Sequence, residues 1–588
     1  MVSLTIPASV AKRKQACTSC RQRKKKCDAD RPSCALCKKL GIKCQYPMPA
    51  SHQDCSLPAE TNSDHALNLG MQAPAMNLDL TNSTPLANGD PLPSYPTPGS
   101  SNMQANEMID LRSLESLQLP SRNITIELTN LFFDHVYPML PCFHKKSFLS
   151  FVESGKLKDE APMLLYAICC ISAGYHPDDT MKKRSKDWYE QAKFSYELTR
   201  QRPSPALRTI QAVLLLTFHA WTVGDFSSSW MFLGKAWRQV VALGLNCTDT
   251  VRAPAQGAAA SNTDTGGEET HQINKEEEKT SVEREEHCRA LWLLLIMDRS
   301  HSWPTGWPVA IPETQFKVDL PKPESVFQAM DPESYTTGYA NTPFTRNLSD
   351  LINSSSAKNP LNILYYITVA HVLLGRVTEL VQSLHTSPES SEYAEDCAKL
   401  DTFIVKFRLW LPRQANSVLA APPADREHVV WLQVTLNAMA IILHYRVQGP
   451  ESSSGPSSPF NLAVIAARNI AQIIKDASRV SVDLLLSAHI GSSLYIAACV
   501  LVIQWRLTED ESLKDEIDLF ALVFERMDEV FSFLGLKFKS ALQQDMKKSR
   551  EELLSLQQRG CRGLLADCKR WDHAKKEVER RGLEVDFS

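Results

Sequence analysis

Six cysteines near the N-terminus, Cys17, Cys20, Cys27, Cys34, Cys37 and Cys44, are spaced x2, x6, x6, x2 and x6 apart, so one Cys-x2-Cys-x6-Cys half-motif occurs twice. Thiolates in a Cys-x2-Cys turn reach a single metal ion, at about 2.3 Å from each sulfur for zinc. Three thiolates per half cannot complete a tetrahedral site. Two zinc ions need eight ligand positions, so six cysteines suffice only when two of them bridge both ions and fuse the halves into one binuclear cluster. A disulfide framework would need an oxidising compartment, and with it a signal peptide. Residues 1–20 lack the apolar stretch such a peptide requires, and the basic run Lys12 to Lys14 follows the short apolar segment instead of preceding it. The spacing also departs from iron–sulfur runs. Of the other cysteines, Cys169, Cys170 and Cys499 lie in apolar runs and read as small core residues.

The second chemical feature sits inside the first. Between Cys20 and Cys27 the chain reads Arg21, Gln22, Arg23, Lys24, Lys25, Lys26, and metal ligands at both ends would hold this stretch rigid. The expectation is a preorganised basic helix suited to a major groove, where Lys or Arg donates to guanine O6 and N7 while neighbours neutralise phosphates. Residues 1–47 carry twelve Lys and Arg against two Asp, a net of +10, and the rest of the chain carries −13. A small basic module on a large acidic body is the charge pattern of a nucleic-acid-binding domain joined to a non-binding one. Lys12-Arg13-Lys14 and the 21–26 run also read as a nuclear import signal.

Residues Ala16 to Tyr46 closely resemble the fungal Zn2Cys6 binuclear cluster DNA-binding domain. The resemblance implies two zinc ions, with Cys17 and Cys34 as bridging ligands and Cys20, Cys27, Cys37 and Cys44 as terminal ones. It also implies that Lys24 reads a C-G-G triplet, with Arg23 and Lys25 in support and Arg21, Lys26, Lys38, Lys39 and Lys43 as phosphate contacts. Pro32 occupies the joining loop, where the family also places a proline.

The elements that must carry this module follow from composition and periodicity. The expected organisation is a DNA-binding domain over 12–47 and a disordered linker over 48–122, rich in Pro, Ser, Asn and Thr. An all-helical domain over 123–540 follows, with a disordered insert at 248–281, and then a helical, charged tail over 541–588. The fold class is mainly α: apolar residues recur three and four apart over 125–136, 160–174, 205–222, 227–245, 283–303, 361–386, 426–447, 461–478 and 482–507. At 588 residues the chain accommodates both a small domain and a large one.

Three segments resemble the fungal-specific transcription factor domain, the helical middle homology region that accompanies such clusters. They are Phe132 to His144 with Phe148, Ser228 to Leu245, and Glu285 to Pro321. Trp307 stands in a turn where that family often has Arg, which predicts packing in place of a charged contact. Leu484 to Ile503 has no charged residue and is long enough to cross a bilayer. Its Ser487, His489, Gly491, Ser492 and Ser493 favour a buried central helix instead, with His489 a hydrogen-bonded core histidine. Trp221, Trp230, Trp237, Trp292, Trp303 and Trp307 read as core, with a small-molecule effector pocket as the alternative.

Catalytic signatures are missing from the chain. There is no phosphate loop, no His-Glu-x-x-His and no Gly-x-Ser-x-Gly. Cys142 and His144 belong to the Pro-x-x-Pro-x-x-His segment of the resemblance, so they are not read as nucleophile and base. No heptad repeat follows Cys44, so binding as a monomer, or as a dimer held by the large domain, gains weight over a coiled-coil dimer. The expectation is a nuclear, sequence-specific regulator of RNA polymerase II genes. Its partners would be double-stranded DNA and the transcription machinery or co-regulators, with no membrane. The competing reading is a helical scaffold whose basic zinc module binds RNA or protein. Leu583, Val585 and Phe587 within the charged C-terminus hint at an activation tail.

Overall fold

The computed structural model describes residues 17–23, 25–45, 119–198, 206–247, 279–335, 341–354, 358, 360–388, 390–445, 459–559 and 572–583. They divide into two units, one holding the cysteine module and the other everything from residue 119 onward. The expected linker and the expected insert lie outside the described residues, apart from 119–122 and 279–281.

The first unit has two short helices, α1 (Thr18–Gln22) and α2 (Ala35–Lys39). Its buried core consists of Cys17, Cys20, Cys34 and Cys37, with Cys27, Leu36, Ile42 and Cys44 packed against them. So small an apolar content cannot stabilise a fold without a further staple.

Every larger element of the second unit is helical, and its described residues hold two isolated bridges, Cys247 with Lys317 and Leu320 with Thr342, but no strand. In chain order the principal helices begin with α3 (Arg122–Leu131), α4 (Lys145–Glu153), α5 (Pro162–Ser172), α6 (Ser185–Glu197), α7 (Ala206–Val223) and α8 (Phe226–Ala242). Next come α9 (Ser281–Thr305), α10 (Ile363–Gln382), α11 (Ser391–Trp410), α12 (Arg426–His444) and α13 (Pro459–Ser478). The series ends with α14 (Gly491–Thr508), α15 (Glu511–Val530), α16 (Ser532–Asp545), α17 (Arg550–Gln558) and α18 (Asp572–Arg581).

Local chemistry sets many of the starts. Asp225, Asn362, Ser390 and Asp510 each accept a backbone N–H from the first turn of the helix they precede, which satisfies an amide that otherwise has no partner. Thr280 and Glu283 form a reciprocal capping box at α9. Gly306 ends α9 in the left-handed region at φ 67°, where a Cβ would be strained.

α9 is the axis of the unit. From Ser281 to Pro304 only Glu283 and Arg284 escape burial, so the helix is apolar or internally paired on every side. It packs against α7, α8 and α10, while α10 packs on α12, α12 on α13, and α14 on α13, α15 and α16. α10 and α14 are long and apolar enough to cross a membrane by length and composition, and most of each lies buried within the unit.

Two expectations about extent are corrected. The uncharged run from Leu484 to Ile503 is not one helix: a 3-10 turn covers Val482–Leu485, and α14 begins only at Gly491. The break falls where α14 must lie close to α16, since a Cβ on Gly491 would stand 2.7 Å from the Phe538 ring. The boundary placed at 540 falls inside α16, and the chain beyond it packs back on the same unit. Ala574 and Val578 are buried, and Arg581 pairs with Asp528 at 2.8 Å.

Candidate metal centre and nucleic-acid interface

The six cysteines converge, although α1 and α2 are each barely more than a turn. In each helix the first cysteine of the Cys-x2-Cys pair accepts an N–H from the second: Cys20 N donates to Cys17 Sγ and Cys37 N to Cys34 Sγ, both at 3.4 Å. The third cysteine returns from the following loop, and Cys34 N donates to Cys44 Sγ at 3.4 Å. The halves are tied to each other by backbone. Thr18 N donates to Gln45 O at 2.7 Å, and the Asp28 carboxylate accepts the Ala35 N–H at 2.9 Å, capping α2 from the first half-motif. The Arg31–Pro32 peptide in the joining loop is cis.

The sulfurs form two groups of four, Cys17, Cys20, Cys27, Cys34 and Cys17, Cys34, Cys37, Cys44, with all ligand atoms of a group within 4.8 Å of one another. Cys17 and Cys34 belong to both. Their sulfurs are 3.8 Å apart, and Cys17 to Cys37 and Cys20 to Cys34 are each 3.6 Å. A tetrahedron with metal–sulfur bonds of about 2.3 Å has edges of about 3.8 Å, so the donor set fits two thiolate-bound zinc ions sharing two sulfurs.

The terminal thiols of the two halves shift in corresponding directions. Burial and mutual contact push Cys20 and Cys37 up, Cys37 to about 12, while a backbone hydrogen bond from Cys17 lowers Cys27 to about 7 and one from Cys34 lowers Cys44 to about 7. Thiols this crowded resist joint ionisation unless a cation takes the place of their protons.

The surrounding cations are distributed unevenly. Arg23, Lys25 and Lys26 after the first pair, and Lys38, Lys39 and Lys43 after the second, are all exposed. Lys24 and the side chain of Arg21 lie outside the described residues. The basic helix expected across 21–26 is shorter than that. α1 stops at Gln22, Lys25 N bonds back to Cys20 O at 3.0 Å, and the chain from Lys25 to Cys27 has no regular secondary structure. A helix continued through the run would carry Cys27 away from the cluster.

The second unit holds a polar constellation that sequence reading missed. Arg289 is fully buried and donates to Glu285 at 2.9 Å, Glu324 at 2.5 Å, Lys322 O at 2.7 Å and Pro141 O at 3.0 Å. Glu324 also accepts from Tyr137 at 2.6 Å, and its carboxyl is lowered against the cost of burial, chiefly by Arg289. Glu286 joins His144 N at 2.8 Å to Arg208 at 2.8 Å. These bonds fasten the Phe132–His144 segment to α9. Further along, Asp298 accepts the N–H groups of Ala310 and Ile311 while Arg299 donates to Ile311 O, clamping the turn after α9. Trp307 packs on Trp230 with ring centres 5.4 Å apart, packing in place of a charged contact. The signal in the sequence was the presence of charges at Glu285, Glu286, Arg289, Asp298 and Arg299 on either side of the apolar run Ala290 to Met297.

Cys142 and His144 do not form a reactive pair. Burial holds the Cys142 thiol well above its ordinary range, and the His144 ring turns to Ser147 and Gln328 O. His489 is the hydrogen-bonded core histidine expected, donating to Met139 O and stacked on Trp431 at 4.1 Å.

Comparison with known proteins agrees with this geometry. Residues 15–53 match the fungal Zn(2)-Cys(6) binuclear cluster domain, and residues 129–404 match the fungal specific transcription factor domain, together more than half of the chain. The chain is 25% identical over 356 residues to the citrinin biosynthesis transcriptional activator mrl3 of Monascus ruber, covering 54% of this chain and 65% of that one. It is 24% identical over 364 residues to a Zn(2)-C6 fungal-type transcription factor of Fusarium oxysporum, covering 53% and 37%. With the pigment biosynthesis transcriptional activator pigB of Monascus ruber it is 22% identical over 348 residues, covering 54% and 57%. The alignments thus span between 37% and 65% of these relatives' lengths. The chain belongs to the fungal Zn2Cys6 transcription factors, a family of regulators and not of enzymes. Its cysteine module is a binuclear cluster domain, which binds two zinc ions.

Proposed function

We propose that the protein is a nuclear, sequence-specific regulator of RNA polymerase II genes that reads CGG-like half-sites in double-stranded DNA through its N-terminal module. The observation that carries this reading is the pair of four-sulfur groups sharing Cys17 and Cys34, set beside exposed Arg23, Lys25 and Lys26. In this reading Cys17 and Cys34 bridge the two zinc ions, and Cys20, Cys27, Cys37 and Cys44 complete them. The metal supplies a structural charge: it neutralises the thiolates and fixes the loop that carries the cations. Lys24 donates to guanine in the major groove with Arg23 and Lys25 beside it, and Arg21, Lys26, Lys38, Lys39 and Lys43 position the module on phosphates.

The acidic helical unit takes the regulatory part, receiving signals from the transcription machinery or co-regulators. The packing of α10 and α14 inside that unit supports a protein that works without a membrane. With no heptad repeat after Cys44, the module acts on one half-site, or in a pair assembled by the helical unit. Selection of bound sites from random duplexes, with the full chain and with residues 1–60, tests the reading. Enrichment of a CGG-containing motif is expected. No enrichment on DNA, together with retention of RNA or protein, would favour a scaffold with a basic zinc module.

A further inference from the structure

Where α7, α9 and the first turn of α14 meet, Phe218, Trp221, Ser300, His301, His489 and Ser492 line a cavity with about 10 Å³ of room for the centre of a water molecule. That is the size of a single-water site. The two histidines are held rigidly, His301 stacked on Trp221 at 4.0 Å and His489 on Trp431 at 4.1 Å.

Hydrogen bonding fixes what each ring offers the cavity. The Ser229 hydroxyl donates to Thr217 O at 3.1 Å, so the contact of 3.2 Å between Ser229 Oγ and His301 Nδ1 must use the proton of Nδ1. A neutral His301 then carries a lone pair on Nε2. Met139 O can only accept, so His489 donates from Nε2 at 3.1 Å and keeps a lone pair on Nδ1. Both rings are neutral, because burial lowers His489 to about 3 and His301 well below its ordinary value. Each remaining nitrogen belongs to a ring that lines the cavity; His301 is only 4% exposed, and His489 is partly buried. A space of this size walled by two acceptor nitrogens and two serine hydroxyls offers a water molecule the two to four polar partners it needs.

We propose that one buried water molecule occupies this cavity, donates its two hydrogens to His301 Nε2 and His489 Nδ1, and accepts from the Ser300 or Ser492 hydroxyl. It joins α9 to the start of α14 at a point where the chain supplies no direct bond. The two lone pairs disfavour an anion, whereas the buried Lys537 ammonium, 5.7 Å from the centre of the Trp221 ring, favours one, so an anion is the competing occupant. A divalent cation would find two nitrogens and two hydroxyls but no carboxylate or thiol lining the space. An effector larger than water does not fit, so the tryptophans around this seam act as packing.

Ala488 also lines the cavity and is 5% exposed. Ala488→Val would fill the space with methyl groups. If water is lost from its acceptors, the unfolding equilibrium constant of the full chain rises roughly tenfold, and most of that penalty disappears in a His301→Phe background, where the acceptor is already gone. A dry cavity would instead be stabilised by the added methyls. A penalty of the same size in both backgrounds would mean overpacking. Either result overturns the proposal. A crystal of the unmodified chain grown with sodium bromide supplies a second readout. Ordered density within hydrogen-bond distance of both nitrogens, without anomalous signal, is the expected result. A bromide peak or no density overturns it.

Discussion

The sulfurs of Cys17 and Cys34 lie 3.8 Å apart, and these are the two thiols common to both four-sulfur groups. Losing either one removes a donor from both sites at once. Cys34→Ala should therefore reduce bound zinc from two ions per chain to less than about one and abolish specific DNA binding, while the helical far-ultraviolet signal stays unchanged. Elemental analysis beside circular dichroism checks this. A variant that keeps both ions would remove Cys34 from the ligand set.

Lys24 is the residue proposed above to read a base. Lys24→Ala should weaken binding at the selected site by about 1–3 kcal/mol, with much less effect on random DNA. Titration against both duplexes measures the difference. Equal losses would make Lys24 a phosphate contact.

Arg289 is a fully buried cation whose removal takes the guanidinium from both Glu285 and Glu324, leaving Lys322 as the only cation paired with Glu285 among the described residues. Arg289→Met should cost about 3–5 kcal/mol in urea unfolding. Arg289→Lys should also destabilise, since an ammonium cannot reproduce the planar fork that reaches Glu285, Glu324 and two carbonyls. Wild-type stability in the lysine variant would show that charge alone matters there.

Burial holds several histidines of the helical unit neutral. His219, His287 and His371 are lowered to about 4 and His489 to about 3. In the unfolded chain each titrates near 6.5, so below that pH the unfolded state binds more protons. The stability these groups contribute is complete above about pH 6.5 and drains as the pH falls towards 4. The thermal midpoint followed by helical circular dichroism should decline steadily from pH 7 to pH 5, and a flat profile would contradict the neutral assignment.

Gly375 faces Arg299, whose Nε would stand 2.5 Å from an added Cβ. Arg299 is anchored by Asp298 and Ile311 O and cannot swing aside freely. Gly375→Ala should cost about 1–3 kcal/mol through overpacking, measured by denaturant unfolding, although alanine is the better helix former.

The metal site was legible because its geometry is local. Two x2 spacings and a ligand count are enough to require a shared pair, and the structure brings the sulfurs of Cys17 and Cys34 into both groups. The long amphipathic helices were legible for the same reason, through a period of 3.6. α4, α6, α11, α15 and α16 escaped notice: in α6 aromatic and charged residues interrupt the apolar stripe, whereas α15 carries a regular one at Leu513, Ile517, Phe520, Phe524 and Met527 among its many charges. The start of α14 was misjudged because an uncharged run does not reveal where a neighbouring ring at Phe538 forces a glycine. The network around Arg289 was invisible for a different reason: Glu285 is its i,i+4 neighbour on α9, but Pro141 and Glu324 are far off in the chain, and only the tertiary fold brings them to the guanidinium.

The two half-motifs match in sulfur spacing, each contributing to one of the two four-sulfur groups, but the residues after each Cys-x2-Cys pair do not match. After Cys20 come five cations in six residues, whereas after Cys37 the same positions read Lys38, Lys39, Leu40, Gly41, Ile42, Lys43. A repeated sulfur frame thus carries five cations after its first cysteine pair and three after its second, so its two halves are unequal in charge. Any nucleic acid it grips is gripped with a direction, and two copies on one duplex would have to be told apart by orientation, facing, opposed or in file.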